Sequence, residues 1–220
     1  MTAVRFHPAD RHLLLSGGSK GGLFCWDTRV QMPVLTIAED HPVRQFKGLL
    51  GQVQDFAFLD SNHFVTATDL VKRSTFDKSL LVWDYRVGAV ISSQIYPEAY
   101  SCPSLCVHPG GRHFVAQSSG GYIAVFSTAT PFKLDKTRRM VGHQVAGHRI
   151  QCSFNREGRR LASGSADGRL LVFDWATARQ VHSLHAHVAP CVSVAFLPSW
   201  TTSVLASASW DGEIALWPGL

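Results

Sequence analysis

The sequence predicts an all-β protein, a β-propeller with five repeated units in this chain. Three observations carry that prediction. An aromatic residue closes a short apolar run five times, at Trp26, Trp83, Phe126, Phe173 and Trp217, in steps of 57, 43, 47 and 44 residues. A second landmark keeps the same phase: Phe6-His7-Pro8, Phe58-Leu59-Asp60, Val107-His108-Pro109, Phe154-Asn155-Arg156 and Phe196-Leu197-Pro198 each end one strand and enter a turn. Finally, no window of a dozen residues holds a 3.6-residue apolar period free of Gly, Pro or β-branched runs, so helix has no foothold.

Each unit reads in the same order. A strand ends at the second landmark, a short strand such as Leu161-Ala162-Ser163 or Leu205-Ala206-Ser207 follows, and a tight turn such as Ala166-Asp167-Gly168 or Trp210-Asp211-Gly212 leads into the run that ends on the aromatic. Strand, turn, strand, turn, strand at a period in the forties is one propeller blade. The repeats fall at approximately 1–36, 37–94, 95–135, 136–182 and 183–220, within one domain 1–220. Asp69 to Lys78 and Thr128 to Thr137 read as loops. The chain opens inside a strand at Ala3-Val4-Arg5-Phe6 and stops three residues after Trp217, so the last unit lacks an outermost strand. The expectation is the C-terminal part of a larger propeller, with strand edges left open to pairing.

Composition excludes little and suits a globular core: 45% hydrophobic, 17% charged, with 21 basic against 16 acidic residues for a net +5. That balance accommodates an acidic partner or a phosphate backbone without demanding either. The five cysteines, Cys25, Cys102, Cys106, Cys152 and Cys191, include no CxxC pair. Neither a disulfide framework nor a zinc finger is indicated, and a reducing, intracellular compartment fits. Met1 to Phe6 has no apolar core of a signal peptide, and no apolar stretch is long enough to span a membrane.

The landmarks resemble those of the WD-repeat family along nearly the whole chain. The resemblance implies a structural tetrad in each blade, in which a His before the first strand, a Ser or Thr, the turn Asp and the Trp form one hydrogen-bonded chain. The last repeat has a full set, His187, Ser207, Asp211 and Trp217, with Asp211 expected to accept from His187. Partial sets follow at His143, Ser163 and Asp167 in the fourth repeat, where Phe173 replaces the Trp, and at Asp77 and Trp83 in the second. Lys20 and Gly120 stand at the turn-Asp position of the first and third. The segments His143-Gln144-Val145-Ala146-Gly147-His148 and Phe173-Asp174-Trp175, with Ser101-Cys102-Pro103-Ser104 upstream, resemble a subfamily of WD-repeat splicing factors. This implies association with the spliceosome in the nucleus.

Catalytic signals do not assemble. Gly17-Gly18-Ser19-Lys20-Gly21 matches G-x-S-x-G, but a strand rather than a helix follows it. The clusters His182, His185, His187 and Cys102, Cys106, His108 are read as non-metal, because a site needs three or four converging ligands. Expected are no catalytic residue, no cofactor and no small-molecule substrate. The expected function is a scaffold for other proteins. The alternative is direct RNA binding through basic loops, for which Arg138, Arg139, Arg149, Arg159 and Arg160 are the candidates, expected to be exposed. A propeller enzyme is the weakest reading, since the turn positions Lys20, Asp77, Gly120, Asp167 and Asp211 share no repeated chemistry.

Overall fold

A computed structural model describes residues 2–29, 44–47, 51–69, 78–93, 95–98, 100–198 and 203–220. All nineteen elements among the described residues are β-strands, arranged in five antiparallel sheets with the strand order of propeller blades. The chain divides into two compact units, Met1–Ala99 and Tyr100–Leu220.

In the first unit, β1 (Ala3–Phe6), β2 (Leu13–Gly17), β3 (Leu23–Asp27) and β4 (Arg44–Phe46) pair in chain order, as do β5 (Val53–Phe58), β6 (His63–Thr68), β7 (Leu80–Asp84) and β8 (Ala89–Ser92). Alternation along the strands aims one set of side chains between the sheets. Leu15, Leu23, Cys25 and Phe46 meet Val53, Phe56, Phe64 and Trp83 there. Phe64 lies parallel to Trp83 at 5.9 Å and Phe46 meets Phe64 edge-on at 5.1 Å. Each such buried side chain stabilises the unit by about 1.5–3 kcal/mol before the entropy of ordering it.

The second unit holds β9 (Ser104–Val107), β10 (His113–Ser118), β11 (Tyr122–Ser127) and β12 (Leu134–Val141), then β13 (Cys152–Phe154), β14 (Arg160–Ser163), β15 (Arg169–Asp174) and β16 (Gln180–His185). Its last sheet, β17 (Cys191–Leu197), β18 (Val204–Ser209) and β19 (Ile214–Pro218), has three strands. Ile123, Val125, Leu161, Leu171 and Phe173 fill one layer, and Leu170, Val172, Val194 and Leu205 the next. At Gly164 the backbone of Cys191 comes so close that a Cβ would overlap its carbonyl.

The outermost strand of a sheet lies late in sequence: β4 falls past residue 36, and β12 and β16 straddle residues 135 and 182. Leu134 to Thr137, which lack an apolar run, therefore open a strand rather than extend a loop. Only one side of β12 is covered, and its register breaks between Ala124 and Val125. The carboxylate of Asp135 accepts both the N–H and the hydroxyl of Thr137 at that irregularity.

The turns explain the second landmark. His7 Nδ1 accepts from the N–H groups of Ala9 and Asp10, which leaves the proton on Nε2, 2.9 Å from the Ser61 carbonyl in the next sheet. His108 repeats the device, accepting from Gly110 N and reaching the Gly158 carbonyl at 2.9 Å. Each imidazole closes its own turn and ties it to the neighbouring sheet.

Candidate functional site

The last sheet gathers His187, Ser207, Asp211 and Trp217. Ser209 and Glu213 close a hairpin through Ser209 N–H and Glu213 O at 3.2 Å, with Gly212 at φ +86°. This sets Asp211 beneath the loop before β17. Gly168, at φ +79°, lets the His187 backbone approach where a Cβ would overlap the His187 carbonyl, and its own carbonyl takes the His187 N–H at 3.0 Å. The His187 ring is thereby sealed, with 0% of its side chain exposed.

Proton accounting fixes the network. Indole can only donate, so Ser207 Oγ accepts from Trp217 Nε1 at 2.9 Å. Ser207 Oγ lies 2.8 Å from His187 Nε2, and the Asp211 carboxylate beside Nδ1 favours the tautomer in which the hydroxyl donates to Nε2. The imidazole proton accordingly sits on Nδ1, 3.4 Å from Asp211 Oδ2. That is a polar contact longer than a hydrogen bond, and Nδ1 has no hydrogen-bond partner. Asp211 accepts instead from the N–H of Glu213 at 2.9 Å and of Val188 at 3.3 Å. Glu213 N–H foremost, with Val188 N–H and the nearby His187, holds the Asp211 carboxyl below the usual range.

The fourth-repeat residues do not join in the same way. His143 is buried with both ring nitrogens unpartnered, and Phe173 meets it edge-on at 6.5 Å. Burial pushes its pKa down to about 4, against the pull of Asp167. Ser163 Oγ donates to the Gly164 carbonyl at 2.9 Å and accepts from Gln117 Nε2 of β10 at 3.2 Å. A glutamine from the preceding sheet thus supplies the donor that Phe173 lacks. Asp167 turns to Arg169 at 2.7 Å. Although burial works against its charge, hydrogen bonds from Arg169 and Ser165 hold the Asp167 carboxyl below the usual range.

In the second repeat Trp83 Nε1 donates to Thr66 Oγ1 at 2.9 Å, both residues buried, while Asp77 lies outside the described residues. Trp26 donates likewise to Ser16 Oγ at 2.7 Å. Sequence reasoning missed Ser16, Thr66 and Gln117. The signal for Ser16 was available, a serine ten residues before the Trp as at Ser207 and Trp217, whereas Thr66 stands seventeen before Trp83 across a long insert.

The five arginines are scattered. Arg138 is half-buried, its guanidinium 4.1 Å above the Trp175 ring and donating to the Trp175 carbonyl. Arg149 Nε donates to Pro103 O at 3.2 Å, and Arg160 lies 3.6 Å from Asp174. Arg139 is exposed over Tyr122, and Arg159 is exposed. Donors of the His and Cys clusters are spent within the fold at His108 and His187. His108 spends both ring nitrogens on its turn and on Gly158. His187, Asp211 and Glu213 have ligand atoms within 4.8 Å of one another. An ion on His187 Nδ1 would force its proton onto Nε2 and strand the buried Ser207 hydroxyl proton. None of the five cysteines is in a disulfide.

Residues 135–174 and 178–218 match the family described as WD domain, G-beta repeat. Each match runs from the outermost strand of one sheet, β12 or β16, through three strands of the next. The chain is 36% identical over 218 residues to WD repeat-containing protein 25 of Mus musculus, covering 99% of this chain and 39% of that protein. It is 29% identical over 217 residues to Pre-mRNA-processing factor 17 of Homo sapiens, covering 97% and 34%. Denticleless protein homolog of Danio rerio is 22% identical over 244 residues, covering 99% and 37%. The chain thus spans well under half the length of these relatives. The matches place two WD repeats in this chain, and its sheets and hydroxyl–indole pairs agree with them.

Proposed function

We propose that the chain is a non-catalytic scaffold that holds other proteins together within a pre-mRNA-processing assembly in the nucleus. One observation carries the reading, the similarity over 97% of this chain to a protein named for pre-mRNA processing. The site chemistry supports the non-catalytic part. Ser207 is 1% exposed and the His187 side chain 0%, so the Ser, His and Asp of the last sheet are out of reach of a substrate and serve architecture. Rigid sheets carrying variable loops are a general means of presenting contacts to partners.

Direct RNA binding through the basic loops has less support. Arg138, Arg149 and Arg160 are engaged within the protein, which leaves Arg139 and Arg159 as the exposed pair of the five. Ultraviolet cross-linking of the purified chain in its assembly separates the readings. Protein–protein cross-links without RNA adducts on this chain support the scaffold; RNA adducts at Arg139 or Arg159 would replace it. A hydrolase screen with turnover above that of Ser207→Ala would overturn the non-catalytic reading.

A further inference from the structure

Trp210 is the exposed tryptophan among the described residues, 65% accessible at the tip of the Ser209–Glu213 hairpin. An indole so placed forfeits apolar burial, yet it is held firmly. Its N–H group on the backbone bonds Pro190 O at 3.2 Å, and the His148 ring packs against it at 4.6 Å and 87°. Beside it Val188, 97% exposed, is fixed by its own N–H to Asp211. The same hairpin carries the carboxylates of Asp211 and Glu213, which offer oxygens within 4.8 Å of each other and of a His187 ring nitrogen. Neither has a Lys or Arg partner among the described residues, in a chain with a net charge of +5. Asp167, one repeat earlier, is by contrast neutralised by Arg169.

We propose that this hairpin, with Val188, is a docking site for an extended partner segment bearing a lysine or arginine. The cation would lie on the Trp210 ring, where the face of the π-system is negative, and pair with the exposed Glu213 carboxylate, with the charge of the mostly covered Asp211 behind it. Its aliphatic stem would cover Val188. The carboxylates exclude a phosphate backbone from the same place, so a protein segment fits and RNA does not. This site rests on the scaffold reading and names the chemistry of one partner contact.

The test is nuclear magnetic resonance titration of the whole chain with the peptide Gly-Ser-Arg-Gly-Arg-Ser-Gly, against the same peptide with glutamine for arginine. The arginine peptide should shift the Trp210 indole and Val188 amide signals, less so as ionic strength rises. Trp210→Ala, followed at Val188, and Glu213→Gln should each weaken binding about threefold to thirtyfold. Both should leave the Trp217 indole signal in place, since neither residue contacts Ser207. Equal binding of the glutamine peptide, undiminished binding by both variants, or a shift of these signals by oligouridine instead would overturn the site. Recovery of partner proteins with the chain tests the scaffold reading separately, because that reading survives if the wild type and Trp210→Ala recover the same set.

Discussion

Ser207 serves two aromatic rings at once, while Ser163 serves only Gln117 and a carbonyl. Removing the Ser207 hydroxyl leaves a buried imidazole nitrogen and an indole N–H without partners, so Ser207→Ala should cost about 2–4 kcal/mol. Ser163→Ala strands one amide donor and should cost about half as much. Denaturation midpoints compared side by side decide it, and equal shifts would contradict the networks. Asp211→Ala should likewise shift the midpoint more than Asp167→Ala, because Asp211 faces the His187 ring and ties two backbone N–H groups. His143 gives the fold an acid limit. Its folded pKa, about 4, lies below the ordinary value of 6.5, so protonation favours the unfolded chain. Its contribution is complete above pH 6.5 and is lost progressively as pH falls towards 4, by roughly 2–4 kcal/mol in all. Stability measured across that window should fall less steeply for His143→Leu than for the wild type, and parallel slopes would mean the ring is not the cause.

At the scale of elements, the aromatic-terminated runs were legible because the strands β3, β7, β11, β15 and β19 each end within a residue or two of the aromatic. The outermost strands were less so. β12 is partly solvated and β16 exposed along nearly its whole length, and Leu134-Asp135-Lys136-Thr137 carries no apolar alternation to read. The tetrad residues were legible as residue types, but which ones meet was not. Gln117 and Ser163 are far apart in sequence and joined only by sheet packing, and Arg138 looked like surface charge because nothing in its neighbourhood announces Trp175. Arg138→Ala should therefore lower stability by about 1–2 kcal/mol through the lost ring contact, while Arg159→Ala changes it by less than about 0.5 kcal/mol. The last sheet invites a further test. One face carries Leu197, Val204, Ala206, Leu216 and Ile214 in register, with Ile214 74% and Leu216 61% exposed. Sedimentation should show concentration-dependent self-association that Leu216→Lys reduces without lowering the thermal midpoint. A strictly monomeric wild type would show that this face does not drive association.

For the whole molecule, the scaffold reading assigns rigidity to the sheets and partner contacts to the loops, and the buried hydroxyls of Thr66, Ser163 and Ser207 are spent on hydrogen bonds within the sheets. Of the five candidate arginines, Arg138, Arg149 and Arg160 are spent on a ring, a carbonyl and a carboxylate within the protein. The most direct measurement is affinity purification of the tagged chain from nuclear extract, with and without ribonuclease, read by quantitative mass spectrometry. The scaffold account predicts recovery of pre-mRNA-processing proteins that persists after ribonuclease. Recovery of no protein above the untagged control, or loss of every partner once RNA is digested, would contradict it.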